Sequence, residues 1–353
     1  MITKPEYLDN AATTKVDERV FDAIKPFFMD IYGNASSNHD FGKQAKKAVD
    51  IAKGHVANII NCNSKEVVFT SGATESINFA IKGFLEANPE KGNHIITVKT
   101  EHKAVLSTCE YLENKGIDVT YLNVNENGLI SLKDLEASIK NNTSLIIVMY
   151  VNNEIGIIQP IDEIGTIAKK HNITFLCDAT QAIGKVRVDV DKSKIDLLAL
   201  SAHKLNGPKG IGALFVRDRI KLTPLLHGGG QENGLRAGTY NTPLIVGLGK
   251  ACEIAIQEFD ATIEKLKTKI IEVETYYETN NIGIVNFKNI MTAPHITSIS
   301  LCSQDAEDYL LMNHKNFIAS TGSACNSALV EISHVLKAIG KKDGRTMRIS
   351  ICQ

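Results

Sequence analysis

Leu198-Ala199-Leu200-Ser201-Ala202-His203-Lys204-Leu205-Asn206-Gly207-Pro208-Lys209-Gly210 is an apolar run that ends in a lysine and a Gly/Pro turn. The run Ile195–Leu200 reads as a buried strand, and Gly207-Pro208 as the punctuation after it. A lysine just past such a strand is partly desolvated. That lowers its proton affinity and leaves a free amine near neutral pH, which imine formation with an aldehyde requires. Ser201 and His203 alternate with it and are placed to face a phosphate. Taken alone, Lys204 reads as a surface lysine before a turn, the usual case.

Outward from this stretch, strand and helix patterns alternate from about residue 43 to 216. Ala45, Ala48, Val49, Ala52, Val56, Ile59 and Ile60 form one helical stripe over 43–60. Short apolar runs follow at Val67–Phe69, Ile95–Val98, Leu145–Val151, Ile173–Cys177 and Ile211–Val216. Helix patterns lie between several of them, such as Leu132, Leu135 and Ile139, or Ile161, Ile164 and Ile167. This alternation predicts an α/β fold with a mainly parallel, doubly wound sheet. Ligands in such sheets sit at the C-terminal ends of the strands. Beyond Gly249, Ala255, Phe259, Ile263, Leu266, Ile270 and Val273 predict one long amphipathic helix leading into a smaller second domain.

Two other strand ends carry chemistry. Thr70-Ser71-Gly72-Ala73-Thr74-Glu75-Ser76 precedes a helix through Ile77, Ala80, Ile81 and Phe84, and small residues at a helix N-terminus suit a phosphate. The plain alternative is a cap made by Thr74. Phe175-Leu176-Cys177-Asp178-Ala179-Thr180-Gln181 puts a carboxylate straight after an apolar strand, where it needs a partner. A protonated ring nitrogen is one; the plain alternative is a cap on the next segment. A phosphate cradle, a ring-nitrogen carboxylate and an imine lysine together match pyridoxal 5′-phosphate (PLP).

The 353 residues exceed one ordinary core, and 43% hydrophobic with 22% charged residues is a globular composition. A formal net charge of −1 gives no bulk attraction for nucleic acid, and no strong direct binding to it is expected. The opening MITKPEYLDN has no apolar core of a signal peptide, and no apolar run approaches a membrane span, so a cytoplasmic protein is expected. Seven cysteines without a CxxC pair argue against a disulfide framework and a Cys-rich zinc site, and no metal is expected. There is no GxxxxGK[ST], and Gly228-Gly229-Gly230 lacks the rest of a dinucleotide fingerprint. Cys325 stands apart from the other cysteines. Its neighbours Ser320–Ser327 are small and polar and read as a surface loop.

Eight segments carry a resemblance: YLDNAATT (7–14), FTSGATES (69–76), TEHKAV (100–105), VNNEIG (151–156), DATQA (178–182), SAHKLNGPKGIGAL (201–214), HGGGQENGLRAGT (227–239) and STGSAC (320–325). In this order they resemble the NifS/IscS-like cysteine desulfurases of the class V aminotransferase group. The resemblance implies an aspartate aminotransferase-like fold with a seven-stranded, mainly parallel sheet between helices, plus a smaller α+β domain. It implies a large PLP-binding domain over 16–258, and a small domain from 1–15 and 259–353 bearing the cysteine loop. Lys204 is implied to hold PLP covalently. Asp178 pairs with its ring nitrogen, Gln181 donates to its ring oxygen, and His102 stacks on the ring and helps move protons. Ala73, Thr74, Ser201 and His203 surround the phosphate, which Thr239 reaches from the other subunit of a homodimer. Asn153 and Arg348 hold the carboxylate of L-cysteine. Cys325 is the nucleophile, becomes a persulfide as L-alanine forms, and passes sulfur to an acceptor protein in iron–sulfur assembly, tRNA thiolation or DNA sulfur modification. Selenocysteine lysis, transamination on the same scaffold and a non-enzymatic sulfur-relay protein are the competing readings. Ala202 and Asn206 depart from the glycine and tyrosine usual in the family.

Overall fold

The computed structural model of the chain describes residues 5–321 and 332–352. Its strands are β1 (Glu6–Tyr7), β2 (Val67–Thr70), β3 (His94–Val98), β4 (Asp118–Leu122), β5 (Thr143–Met149), β6 (Thr174–Asp178), β7 (Leu197–Ser201), β8 (Gly212–Val216), β9 (Gly283–Val285), β10 (Ile296–Leu301), β11 (Phe317–Ile318) and β12 (Thr346–Ser350). Seven of them form the main sheet in the order β2-β8-β7-β6-β5-β3-β4. Only β8 runs against its neighbours; β3 through β7 pair in parallel. The sheet is therefore the seven-stranded, mainly parallel one expected, with every residue of β2, β3, β5, β6, β7 and β8 buried.

Both faces of the sheet are covered, which is why its strands read as continuous apolar runs and not as alternating ones. Phe69, Ile96, Ile146, Phe175, Leu198 and Phe215 share one core with the helices Asp40–Ile60 and Thr242–Gln257. Val68, Ile95, Leu145, Leu176, Leu197 and Leu214 share another with the helices Ala73–Ala87 and Lys103–Glu113. A third core lies apart from the sheet. In it Leu266, Ile270 and Tyr277 pack on Ile299, Leu301, Met347 and Ile349 of the antiparallel sheet β12-β10-β9.

The structure departs from the sequence reading at two elements. β4 was missing from the apolar runs because, unlike β2 at the opposite edge, only its last residue is fully buried. The long helix beyond Gly249 is two helices, Thr242–Gln257 and Phe259–Thr279. They break at Glu258, whose backbone leaves the helical basin (φ −106°, ψ 12°) and whose carboxylate receives Arg19 at 2.5 and 3.1 Å. The stripe serves two cores: Ile254 and Ala255 pack toward the main sheet, Leu266 and Ile270 toward the small one.

Candidate functional site

The C-terminal edge of the main sheet gathers the predicted residues from five strand ends. Asp178 closes β6 and Ser201 closes β7, while Gly72, His102 and Asn153 follow β2, β3 and β5. Lys204 ends the single turn Ala202–Lys204 after β7. Its ammonium donates to the backbone carbonyls of Ala11 and, at 2.7 Å, Ala12. These carbonyls are in place because the Asn10–Thr14 segment lies across the turn. Thr14 Oγ1 donates to the His203 carbonyl (3.0 Å) and accepts from the Asn206 N–H (2.9 Å). Burial, with Arg348 nearby, pulls the Lys204 pKa down to about 8.

Asp178 is buried, and its Oδ1 accepts from the Thr180 N–H (3.0 Å) and hydroxyl (2.5 Å). It does cap the next segment, as the plain reading held, but with one oxygen only. Oδ2 has no hydrogen-bond partner among the described residues. Gln181 donates its amide to the Ala11 carbonyl at 2.8 Å, the same oxygen that receives Lys204. His102 caps the helix Lys103–Glu113, its Nδ1 accepting from the Ala104 N–H at 3.1 Å, so that Nε2 carries the proton of the neutral ring. The protein packed around the ring holds its pKa below the ordinary histidine value, with the Lys204 charge acting the same way.

The helix Ala73–Ala87 begins at Gly72 without any side-chain cap. Thr74 does not serve as its cap; it sits in the first turn, exposed, beside Ala73. Gly212 brings β8 so close that a Cβ there would stand 2.5 Å from the Leu200 carbonyl and 2.7 Å from Gly72 Cα. His203 lies 3.2 Å from Thr13 Oγ1, and burial beside Lys204 and Lys209 pushes its pKa down to about 4, leaving it neutral. Thr239 stands exposed on the Gly-rich segment. Two ion pairs tie that segment to the fold: Arg236 with Glu75 (2.9 Å) and Lys53 with the buried Glu232 (2.5 Å).

Arg348, on β12, is buried and reaches over the same edge. Its Nη1 donates to the Asn153 carbonyl (2.9 Å) and its Nη2 to Asp9 Oδ1 (2.5 Å), while Nε has no partner among the described residues. Cys325, the expected nucleophile, lies outside the described residues.

Sequence reasoning named the arginine but not Asp9, its counter-ion, although Asp9 stands in the quoted YLDNAATT stretch. It also passed over Glu154 of VNNEIG and Glu101 of TEHKAV. Glu154 is buried and accepts from Ser333 at 2.5 Å; burial pushes its carboxyl up to about 7. Glu101 is fully buried, with Oε1 on the Met149 N–H (2.8 Å) and Oε2 without a partner among the described residues, and burial holds its carboxyl well above the usual range. A charged residue inside a motif gives no sign in sequence of whether it faces the ligand or the core.

Known proteins resemble the chain in sequence and in fold. The chain is 46% identical over 347 residues to the mitosomal cysteine desulfurase of Trachipleistophora hominis, covering 96% of this chain and 78% of that one. It is 48% identical over 349 residues to the cysteine desulfurase IscS of Neisseria meningitidis serogroup C, covering 97% and 85%. Among solved structures, a NifS-like protein superposes with a TM-score of 0.91 at 35% identity, covering 99% of this chain and 94% of that one. One described as SspA in complex with cysteine superposes at 0.86 and 41% identity, covering 98% of each. The family described as aminotransferase class-V matches residues 6–353, and the chain belongs to it, among its cysteine desulfurases.

Proposed function

We propose that the chain is a PLP-dependent cysteine desulfurase that binds its cofactor at the C-terminal edge of the main sheet. One observation carries the reading. A half-buried amine of lowered pKa, a carboxylate with one oxygen unpaired among the described residues and a helix N-terminus without a side-chain cap meet at one edge. The residues fit the group: Lys204 supplies the amine that holds it, Asp178 Oδ2 an acceptor for its ring N–H, and the Ala73–Thr74 end with Ser201 and His203 the donors for its phosphate.

PLP, when bound, supplies an electron sink for the α-carbon of an amino acid. The protein does the rest. Arg348 holds the substrate carboxylate through two parallel hydrogen bonds, its unpartnered Nε supplying one of the donors, with Asn153 beside it. Asp178, through Oδ2, would hold the proton on the ring nitrogen. The Lys204 amine, released when the amine of the substrate takes its place, would take the α-proton. The Cys325 thiolate attacks the substrate sulfur: an S–S bond forms, the C–S bond breaks with its electron pair on carbon, and protonation there leads to L-alanine. The product persulfide on Cys325 passes to an acceptor protein.

The same reading makes the molecule a homodimer, with Thr239 reaching the partner's phosphate site. It also divides the chain into a large domain (16–258) and a small one (1–15 and 259–353), which the separate core around Leu266, Ile299 and Met347 supports. The test is chemical. Purified protein is yellow, and borohydride followed by peptide mapping places the label on Lys204. A colourless protein that takes up no added PLP overturns the reading.

A further inference from the structure

His295 is a buried histidine with half of its hydrogen-bonding capacity unused. It precedes β10, and its carbonyl accepts from the Ile351 N–H at 2.9 Å, which fixes the backbone. Its Nε2 lies 3.4 Å from Gln181 Oε1, while Nδ1 is buried and has no partner among the described residues. An apolar side chain would fill this space without stranding an acceptor, so a half-satisfied ring there calls for a reason beyond packing.

The reason lies in what Gln181 does next. Its Nε2 donates at 2.8 Å to the Ala11 carbonyl, which also receives the Lys204 amine. A side-chain amide has two ends of similar shape, and only its partners decide which faces which way. Here Oε1 faces a ring N–H and Nε2 faces a carbonyl, so reversing the amide would set donor against donor and acceptor against acceptor. The ring can serve only while Nε2 carries a proton, which in the neutral ring is the Nε2–H tautomer. The charged groups that bear on it are all cationic: Lys185 after β6, Lys204 after β7 and Arg348 on β12. Together with burial they hold its pKa well below the ordinary value. Lys185 is itself buried and makes no hydrogen bond through its amine among the described residues.

We propose that His295 is a positioning residue: its Nε2–H holds Gln181 by the carbonyl end, so that the amide N–H is presented on the Lys204 side, to the ring oxygen of bound PLP. The inference rests on the PLP reading above and adds to it the residue that orients the donor. A ring oxygen deprived of that donor holds its proton more tightly.

The experiment is a pH titration of the visible absorbance of PLP-loaded protein, for the parent, His295→Leu and His295→Gln. The His295→Leu midpoint rises by roughly one pH unit, and His295→Gln, whose Nε2 replaces the ring donor, returns close to the parent. A loaded His295→Leu protein that titrates with the parent overturns the proposal. The second measurement needs neither variant nor cofactor: ¹⁵N–¹H correlation of the imidazole in the PLP-free parent. A neutral Nε2–H tautomer between about pH 6 and 9 is expected, and an Nδ1–H tautomer, which would turn an acceptor toward Gln181 Oε1, overturns the proposal. A parent that takes up no PLP sinks the cofactor reading, and the tautomer alone then decides the His295–Gln181 contact.

Discussion

Asp178 spends one carboxylate oxygen on Thr180 and keeps the other free, which separates its structural task from its chemical one. Asp178→Asn retains the Oδ1 contacts and the fold but no longer holds a proton on a ring nitrogen. The variant is expected to load PLP with a near-parental melting temperature and to lose roughly 10²–10³-fold in kcat. Alanine release with cysteine measures this, and near-normal turnover counts against the assignment. Lys204 and Asp178 were legible in the sequence because each is a charged group just past, or at the end of, an apolar strand, whereas Arg348 came from the resemblance alone. Asp9 and His295 were not legible. Asp9 acts through an arginine 339 residues away, and His295 shows its unpaired nitrogen only once the chain has closed around it.

At the level of elements, the turn that begins the helix His334–Ala338 is held by a carboxyl group in the core. Ser333 caps that helix and also donates to Glu154. The Glu154 pKa of about 7 lies above that of an unfolded glutamate, near 4.3. The folded chain thus holds a proton that the unfolded chain releases. Stability from this group falls as pH rises from about 4.5 to 7 and is flat beyond. Glu154→Gln keeps an acceptor for Ser333 and removes the charge. It is expected to stabilise by about 2–3 kcal/mol near pH 8 and by less than about 1 kcal/mol near pH 5. Urea unfolding at the two pH values reads the difference, and an equal effect at both excludes this origin. The element boundaries follow the same physics. Strands buried on both faces announced themselves as apolar runs. The edge strand β4 did not, and the turn at Glu258 was hidden because one periodic stripe fed two cores.

The whole molecule leaves one predicted contact unmade. Thr239 is exposed on a segment anchored by the Arg236–Glu75 and Lys53–Glu232 pairs, so it is offered outward from a fixed base. Light scattering is expected to give twice the mass of the chain. Thr239→Ala is expected to weaken PLP binding by roughly tenfold, the worth of one hydrogen bond to a charged group. A monomer that binds PLP tightly refutes the shared site. The fold class came from the alternation of strand and helix patterns, and the number of strands from the resemblance. The antiparallel placement of β8 was visible in neither.

The segment Asn10–Thr14 has a consequence in time. Its carbonyls complete the lysine site, yet Asn10 is itself tied to the Ser350 carbonyl at 3.0 Å, and the Ala11 N–H to the Ser350 hydroxyl at 2.8 Å. On a ribosome adding about 5–20 residues per second, the two ends of that clasp leave the tunnel about 20–70 s apart. The first turn of the chain must wait, unpaired, for one of the last strands to be synthesised. Formation of the lysine pocket thereby waits for the synthesis of β12, and a nascent chain stalled before β12 carries Lys204 without the clasp that shapes its surroundings.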